Sequence, residues 1–269
     1  MNFAKYRVKP GTKVALKDWD PGDKSASSGD KEQDKLRLTQ IGEQIDELQD
    51  LLHAEQTRSV LVVLQGMDTS GKDGTIRHVF KSVDPLGVRA VSFKAPSSEE
   101  LAHDFLWRIH RHIPGKGELV IFNRSHYEDV LVVRVRKLID AAECERRYEH
   151  INRFEALLSD NNTLVLKFFL YISKGEQKKR LQERVDDPHK QWKFNPGDLE
   201  ERKLWTDYVK AYENALTATS TKRAPWYVIP ADSKTNRNLM ISSILLEQLQ
   251  SLKMSYPKPN AELKKLVVA

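Results

Sequence analysis

Residues 59–75, SVLVVLQGMDTSGKDGT, decide how this chain folds. Five apolar residues run from 60 to 64, a turn bracketed by Gly66 and Gly71 follows, and Lys72 opens a helix-compatible stretch. This is the strand, loop and helix of a phosphate-binding P-loop, with the GxxxxGK spacing intact. In such a loop successive backbone N–H groups wrap phosphate oxygens. The helix start adds its positive end, and the lysine supplies a mobile point charge. Gly66, Met67, Asp68, Thr69, Ser70, Gly71, Lys72, Asp73 and Gly74 are therefore the candidate phosphate-binding set, with the Lys72 ammonium on an exposed loop–helix junction. Asp73 replaces the hydroxyl residue that usually follows the lysine, and a second acid, Asp68, lies inside the loop. A carboxylate must then position the metal, with Asp68 the first choice and Asp73 the second. Asp73 reads equally as a first-turn acid stabilised by the helix field. The plainer alternative for the whole stretch is an ordinary Gly-rich turn with a solvated lysine.

Working outward, residues 1–33 are rich in Gly, Pro, Ser, Lys and Asp. They read as an extended arm tacked down by Phe3, Tyr6, Val8 and Trp19, with a mobile piece at residues 23–30. A helix over about 32–56 carries the apolar stripe Leu38, Ile41, Ile45, Leu48 and Leu52. Further strands are expected at 88–93, 118–122, 163–172 and 225–229. Helices are expected at 74–82, from a Ser97 or Ser98 cap to about 113, from about 127, and over 142–158, 174–184, 196–218 and 235–252. Strands alternating with helices give a three-layer α/β/α fold on a central, mostly parallel five-stranded sheet. The expected organisation is an arm (1–33), a P-loop kinase domain (34–254) with a helical lid at about 174–216, and a surface tail (255–269). Ligands in such sheets bind beyond the carboxyl ends of the strands, so Asp68 with Lys72 and Asn123 with Arg124 should face one crevice.

The second constellation is Phe122-Asn123-Arg124-Ser125-His126-Tyr127-Glu128-Asp129. A strand ending in an acid is the usual second metal motif of P-loop proteins; here Asn123 holds that place, and Glu128 and Asp129 could compensate. Arg124 would point its fork at phosphates. The third is the charged stretch with Lys174, Lys178, Lys179, Arg180, Arg184, Lys190 and Lys193 against Glu176, Glu183, Asp186 and Asp187, with Trp192 and Phe194 at its end. It reads as a lid that closes positive charge over an anionic donor, or as a solvated helical face.

The formal net charge of +6 favours acidic partners without selecting one. A single cysteine, Cys144, rules out an internal disulfide and suits a reducing compartment. With no secretory signal and no membrane-length apolar run, the cytoplasm is the expected home and no membrane partner is expected. No zinc-ligand spacing and no specific nucleic-acid motif is present. His103, His110 and His112 are expected on a helix among apolar residues and carry no metal signal.

Taken together, the motifs resemble the polyphosphate kinase 2 family. The match lies in Gly66 through Gly74, in Asn123 through Asp129, in Lys179 through Arg184 continuing to Asp187 through Lys193, and in Trp205-Thr206-Asp207-Tyr208 with Tyr212-Glu213. The resemblance implies a fold similar to thymidylate kinase and phosphoryl exchange between inorganic polyphosphate and adenine nucleotides, with guanine nucleotides as further substrates. It implies magnesium, with manganese as a substitute, and a homo-oligomer, dimer or tetramer. It matches Asp68, Lys72 and Arg124 to positions around the transferring phosphate and Arg184 with the nearby lysines to the lid. With the residue reading added, the candidate set is Asp68, Lys72, Arg124 and Arg184 for catalysis, Asp68 and Glu128 for the metal, and Asn123, Lys178, Lys179, Lys190 and Lys193 around nucleotide or polyphosphate. Residues 123–129 resemble members accepting both AMP and ADP, although many members carry an acid at the position of Asn123. Two other readings stay open: an ATP-dependent nucleoside or nucleotide monophosphate kinase, and a non-enzymatic nucleotide or nucleic-acid binding protein.

Overall fold

The computed structural model describes residues 3–260. Its centre is a five-stranded, all-parallel sheet of β1 (Ser59–Gln65), β2 (Val88–Ser92), β3 (Leu119–Asn123), β4 (Thr163–Tyr171) and β5 (Trp226–Pro230). The strand order is β2-β3-β1-β4-β5. β1 is buried at every position because sheet neighbours flank it and helices cover both faces. That is why its sequence is a continuous apolar run rather than an alternation.

The helices are α1 (Lys31–Glu55), α2 (Lys72–Val79), α3 (Ser98–Leu101), α4 (Trp107–His110), α5 (Val132–Val135), α6 (Ala141–Asp160), α7 (Lys174–Asp186), α8 (Gly197–Lys203), α9 (Trp205–Thr219) and α10 (Lys234–Ser251). α1 and α2 pack with α10 in one layer, and α6 with α9 in the other. Asp30 caps α1 by accepting the Glu32 and Gln33 N–H groups, and Gln56 ends it in the left-handed region at φ 53°. Ile41, Ile45 and Leu52 of its stripe are buried, with Leu38 and Leu48 packed at the margin. Among the described residues no helix is long and apolar enough to cross a membrane.

Four local readings change. The helix expected over 196–218 is two, α8 and α9, interrupted at Leu204. The single helix expected from Ser97 to about 113 is two short pieces. Ser97 and Glu100 do form a capping box. Asp104 then interrupts the helix: its carboxylate accepts the Leu106 N–H and its carbonyl the Trp107 N–H, a local turn that competes with helical bonding. His103 therefore lies between α3 and α4, stacked on Trp107, and only His110 is helical. The helix expected from Tyr127 is a 3-10 turn, His126–Asp129, followed by the short α5. The segment 23–30, mobile by composition, is tied to the domain. Asn236 exchanges hydrogen bonds with the Ala26 N–H and the Asp23 carbonyl, and Ser28 bonds the buried Asp34.

The arm buries Phe3, Tyr6 and Val8, while Trp19 packs part-buried. Val8 donates to the Trp226 carbonyl at 2.8 Å and Arg7 bridges Tyr227, so the arm covers the otherwise open edge of β5. Cys144 is buried on α6, as helix packing predicts. The tail is exposed from Ser255 to Asn260, and its remainder, 261–269, lies outside the described residues, as do Met1 and Asn2.

Candidate active site

The carboxyl ends of β1 and β3 open onto a cleft of about 240 Å³. One wall is Gly66, Met67, Asp68, Arg124 and Glu128, joined by Gln177; the opposite wall is Asn195, Gly197, Asp198, Glu201, Trp205, Tyr208 and Tyr212. Asp68 and Arg124 line this crevice as the sequence places them, whereas Lys72 and Asn123, expected beside them, do not.

Gly66 must be glycine, because a Cβ there would lie 2.6 Å from Ser70 Oγ and 2.8 Å from the Leu170 carbonyl. Thr69 takes a left-handed conformation at φ 63°. The loop bends tightly enough that Lys72, expected on an exposed junction, is only 8% exposed. Its ammonium donates to the Gly66 carbonyl at 2.6 Å and the Met67 carbonyl at 3.3 Å. Burial, reinforced by the nearby Arg124 charge, pulls its pKa down to about 8. Buried hydroxyls of Thr69, Ser70 and Thr75 have no protein partner among the described residues. Buried polar atoms are ordinarily paired. Such a concentration at one loop suits a ligand rich in acceptor oxygens.

Asp68 and Arg124 meet across the mouth of the loop, Nη2 to Oδ1 at 3.1 Å. Arg124 sits at φ 62°, which swings its fork off the end of β3 into the cleft. Ser125 caps the following 3-10 turn by accepting the Tyr127 N–H, and that turn delivers Glu128 to the cleft. Burial raises the Glu128 pKa, with Arg124 and Lys72 opposing. Asp129 does not reach the cleft as a second acid; it turns inward and pairs with Arg108 at 3.1 Å. Asn123 donates to Asp73 at 2.6 Å, so the two residues that replace the usual metal motif hold each other.

The lid has a different charge from the one expected. Lys178, Lys179, Lys190 and Lys193 are exposed and none lines the cleft. Lys190 pairs with Asp187, and Lys193 lies over the exposed Trp192 ring. The cleft-facing side instead offers Asp198, Glu201 and three aromatic rings. Arg184 reaches the site indirectly, pairing with Asp198 at 3.3 Å. Arg136, beyond α5, pairs with Glu201, which also accepts from the Tyr208 hydroxyl. The helical period of α7 explains the result: its buried face carries Gln177, Arg180 and Leu181, leaving the neighbouring lysines to solvent.

Arg180, expected on the lid, is buried behind the P-loop, where it donates to the Thr69 carbonyl at 2.9 Å. Arg237 of α10 does the same to Ser70 at 3.1 Å. Nothing local marks Arg237, which lies far along the chain from the loop; Tyr208 and Tyr212 stand out in the sequence only through the family resemblance of residues 205–213, and the structure puts both on the cleft. Sequence reading also passed over Lys167 in the apolar run of β4. It is fully buried and bonds Glu155 at 2.6 Å, the Tyr127 hydroxyl at 2.9 Å and the Thr219 carbonyl at 2.7 Å. Glu155 also takes His126 at 3.2 Å. This network anchors the turn that carries Glu128.

Comparison with known proteins places these features in company. The family model described as Polyphosphate kinase 2 matches residues 28–257. An AMP/ADP-polyphosphate phosphotransferase of Meiothermus ruber is 54% identical, covering 98% of this chain and 99% of its own. An ADP-polyphosphate phosphotransferase of Rhodopseudomonas palustris is 44% identical over 94% of this chain and 91% of its own. The crystal structure of polyphosphate kinase 2 from Arthrobacter aurescens TC1 superimposes with a TM-score of 0.93 at 43% identity, covering 97% of this chain and 94% of that one.

Proposed function

The chain belongs to the polyphosphate kinase 2 family, and from that premise we propose that it moves the terminal phosphoryl group of inorganic polyphosphate, reversibly, onto AMP and ADP. The observation that carries this is the meeting of Asp68, Arg124 and Glu128 in one cleft beside Lys72. Phosphoryl transfer needs positioning and charge stabilisation more than covalent help. Unpaired loop N–H groups and Lys72 receive the donor phosphates. Arg124 shifts from Asp68 to the group in flight and neutralises charge on its oxygens. The acceptor is itself a phosphate, largely ionised at neutral pH, so no side chain need remove its proton. Tyr208, Tyr212 and Trp205 form an aromatic wall that limits water around the reacting groups.

The donor set fits magnesium, which takes one or two carboxylates and completes its shell with water and phosphate oxygens. Asp68 and Glu128 offer such a pair on one wall, with no cluster of three acidic or histidine ligands among the described residues. They would hold the ion, and manganese could replace it on the same oxygen ligands. When bound, the ion neutralises phosphate oxygens and aligns them.

Dual acceptor range rests on the near full-length similarity to the Meiothermus ruber enzyme, whose name gives both AMP and ADP. Guanine nucleotides as acceptors, self-association into a dimer or tetramer, and a cytoplasmic setting belong to the same proposal. The test is a chromatographic time course with polyphosphate and magnesium, free of adenylate kinase. Starting from AMP, ADP should rise first and ATP follow; starting from ADP alone, ATP should form. A reaction that halts at ADP under excess polyphosphate overturns the dual range, and ATP outperforming polyphosphate as donor to AMP overturns the donor.

A further inference from the structure

The P-loop has a back as well as a front. Gln177 donates to the Asp68 carbonyl at 3.2 Å. Arg180 donates to the Thr69 carbonyl at 2.9 Å and the Ser70 carbonyl at 3.3 Å, and Arg237 to the Ser70 carbonyl at 3.1 Å. A trans peptide sets its C=O and N–H on opposite sides. Drawing the Asp68 and Ser70 carbonyls backward therefore aims the Thr69 and Gly71 N–H groups forward. Neither N–H has a protein acceptor among the described residues.

The two arginines differ in charge balance. Arg180 pairs with Glu176 at 2.8 Å and spends its other donors on the Ala231 and Asp232 carbonyls. Arg237 is 2% exposed and meets only neutral acceptors, the Ser70 carbonyl and the Asn238 side-chain oxygen at 3.2 and 2.9 Å. Among the described residues no carboxylate pairs with it. Burial, with the Arg180 charge beside it, lowers its pKa to about 9, which leaves it cationic at neutral pH. A buried cation without a partner is costly unless something compensates it. Gly71 is moulded to this side chain: a Cβ there would fall 1.9 Å from Arg237 Nη1. The unpaired charge thus lies directly against the peptide whose N–H faces the ligand.

On the reading that this loop takes the phosphates of the transfer reaction, we propose that Arg237 is a positioning residue whose uncompensated charge acts from behind the loop. It fixes the Ser70–Gly71 peptide, and the bound polyanion is its counter-ion. Arg180, already balanced by Glu176, supplies geometry without net attraction.

Asn238 makes the test clean. Asn238→Asp is isosteric and keeps both acceptor bonds, but it gives Arg237 a carboxylate. Tripolyphosphate binding is measured by titration calorimetry on the full chain, beside thermal melts and steady-state kinetics. Asn238→Asp should melt no lower than wild type yet bind tripolyphosphate roughly five- to tenfold more weakly, because a carboxylate against Arg237 offsets the attraction of its charge for the ligand, while KM for AMP moves less than about twofold. Arg237→Lys, which keeps the charge, should stay closer to wild type than Arg237→Met, which should lose on the order of tenfold or more. Wild-type tripolyphosphate affinity in Asn238→Asp overturns the proposal, and so does wild-type affinity in a folded Arg237→Met. If the Arg237 variants do not fold, the isosteric variant still decides. Wild-type protein that binds tripolyphosphate but transfers nothing to AMP or ADP overturns the enzymatic reading instead, leaving the variant affinities to be judged on their own.

Discussion

Two buried ionic clusters lie toward opposite helical layers of the sheet, and they are built on opposite plans. The cluster of Lys167, Glu155, His126 and Tyr127 is closed in charge, although the buried His126 Nδ1 has no partner among the described residues. Its ammonium meets a carboxylate, a hydroxyl and a carbonyl, and the carboxylate meets three donors. Burial acts to raise the Glu155 pKa, but Lys167 and the His126 hydrogen bond outweigh it and hold it below the usual carboxylate value. The cluster at the P-loop is open. Lys72 and Arg237 are buried cations whose direct acceptors are neutral carbonyl or amide oxygens. A balanced network stabilises the fold and asks nothing of a ligand. An unbalanced one is held in place by the fold and, on the proposal above, is completed by an anion. The difference separates buried charges that are balanced inside the protein from buried charges left facing the proposed phosphate site, although both kinds are buried.

The sharpest way to break that comparison is Lys167→Met. It strands Glu155 as an unpaired buried charge, which typically costs about 3–5 kcal/mol. Thermal or denaturant unfolding should show the loss, while the protein that remains folded keeps turnover within about threefold. Adding Glu155→Gln removes the stranded charge and should recover part of the stability. A double variant no more stable than the single one would mean that the network is not closed.

Lys72→Ala tests the other plan. Turnover should fall on the order of 10²–10³, equivalent to roughly 2.7–4 kcal/mol of transition-state stabilisation. Stability should change little, because the ammonium is bonded only to loop carbonyls. Turnover near wild type would remove the lysine from the chemistry. Asp68→Asn comes next: it frees Arg124 and removes the charge of the proposed magnesium ligand, so the magnesium requirement should rise about tenfold or more. An unchanged magnesium dependence at full activity would transfer that role to Glu128.

The open cluster should also titrate. Lys72 has its pKa lowered to about 8, and the protonated form is the one that attracts phosphate. Donor kcat/KM should therefore be level below pH 8 and fall by up to ~10-fold per unit above it, as the free enzyme loses that proton. A flat profile to pH 9.5 would contradict this. The smallest effect belongs to the lid surface. Lys178→Gln with Lys179→Gln should weaken long-chain polyphosphate by only about twofold at low salt, through long-range attraction that disappears at high salt. A loss above tenfold would show that these lysines touch the donor after all.

Much of this was legible in the sequence because it is local. The P-loop needs glycine where backbone and side chains crowd, so Gly66 and Gly71 stand at fixed spacing beside Lys72. A strand covered on both faces must be apolar along its whole length, so β1 declared itself and with it the parallel sheet. Arg124 and Asp68 could be placed in one crevice because strand ends in a parallel sheet share an edge. Helical phase was equally present in α7, yet the charge count of that segment overrode it and sent exposed lysines toward the cleft.

The tertiary structure alone decided which charges are balanced. Arg237 reaches Ser70 across 167 positions of chain and Lys167 meets Thr219 across 52. Neither pairing leaves a periodic trace, because a side chain's partner in a packed core depends on how whole helices dock, not on its neighbours in sequence. A lysine inside a strand and an arginine inside a helix look alike as letters. Only the distances around them show that one meets a carboxylate inside the protein and the other meets neutral oxygens alone.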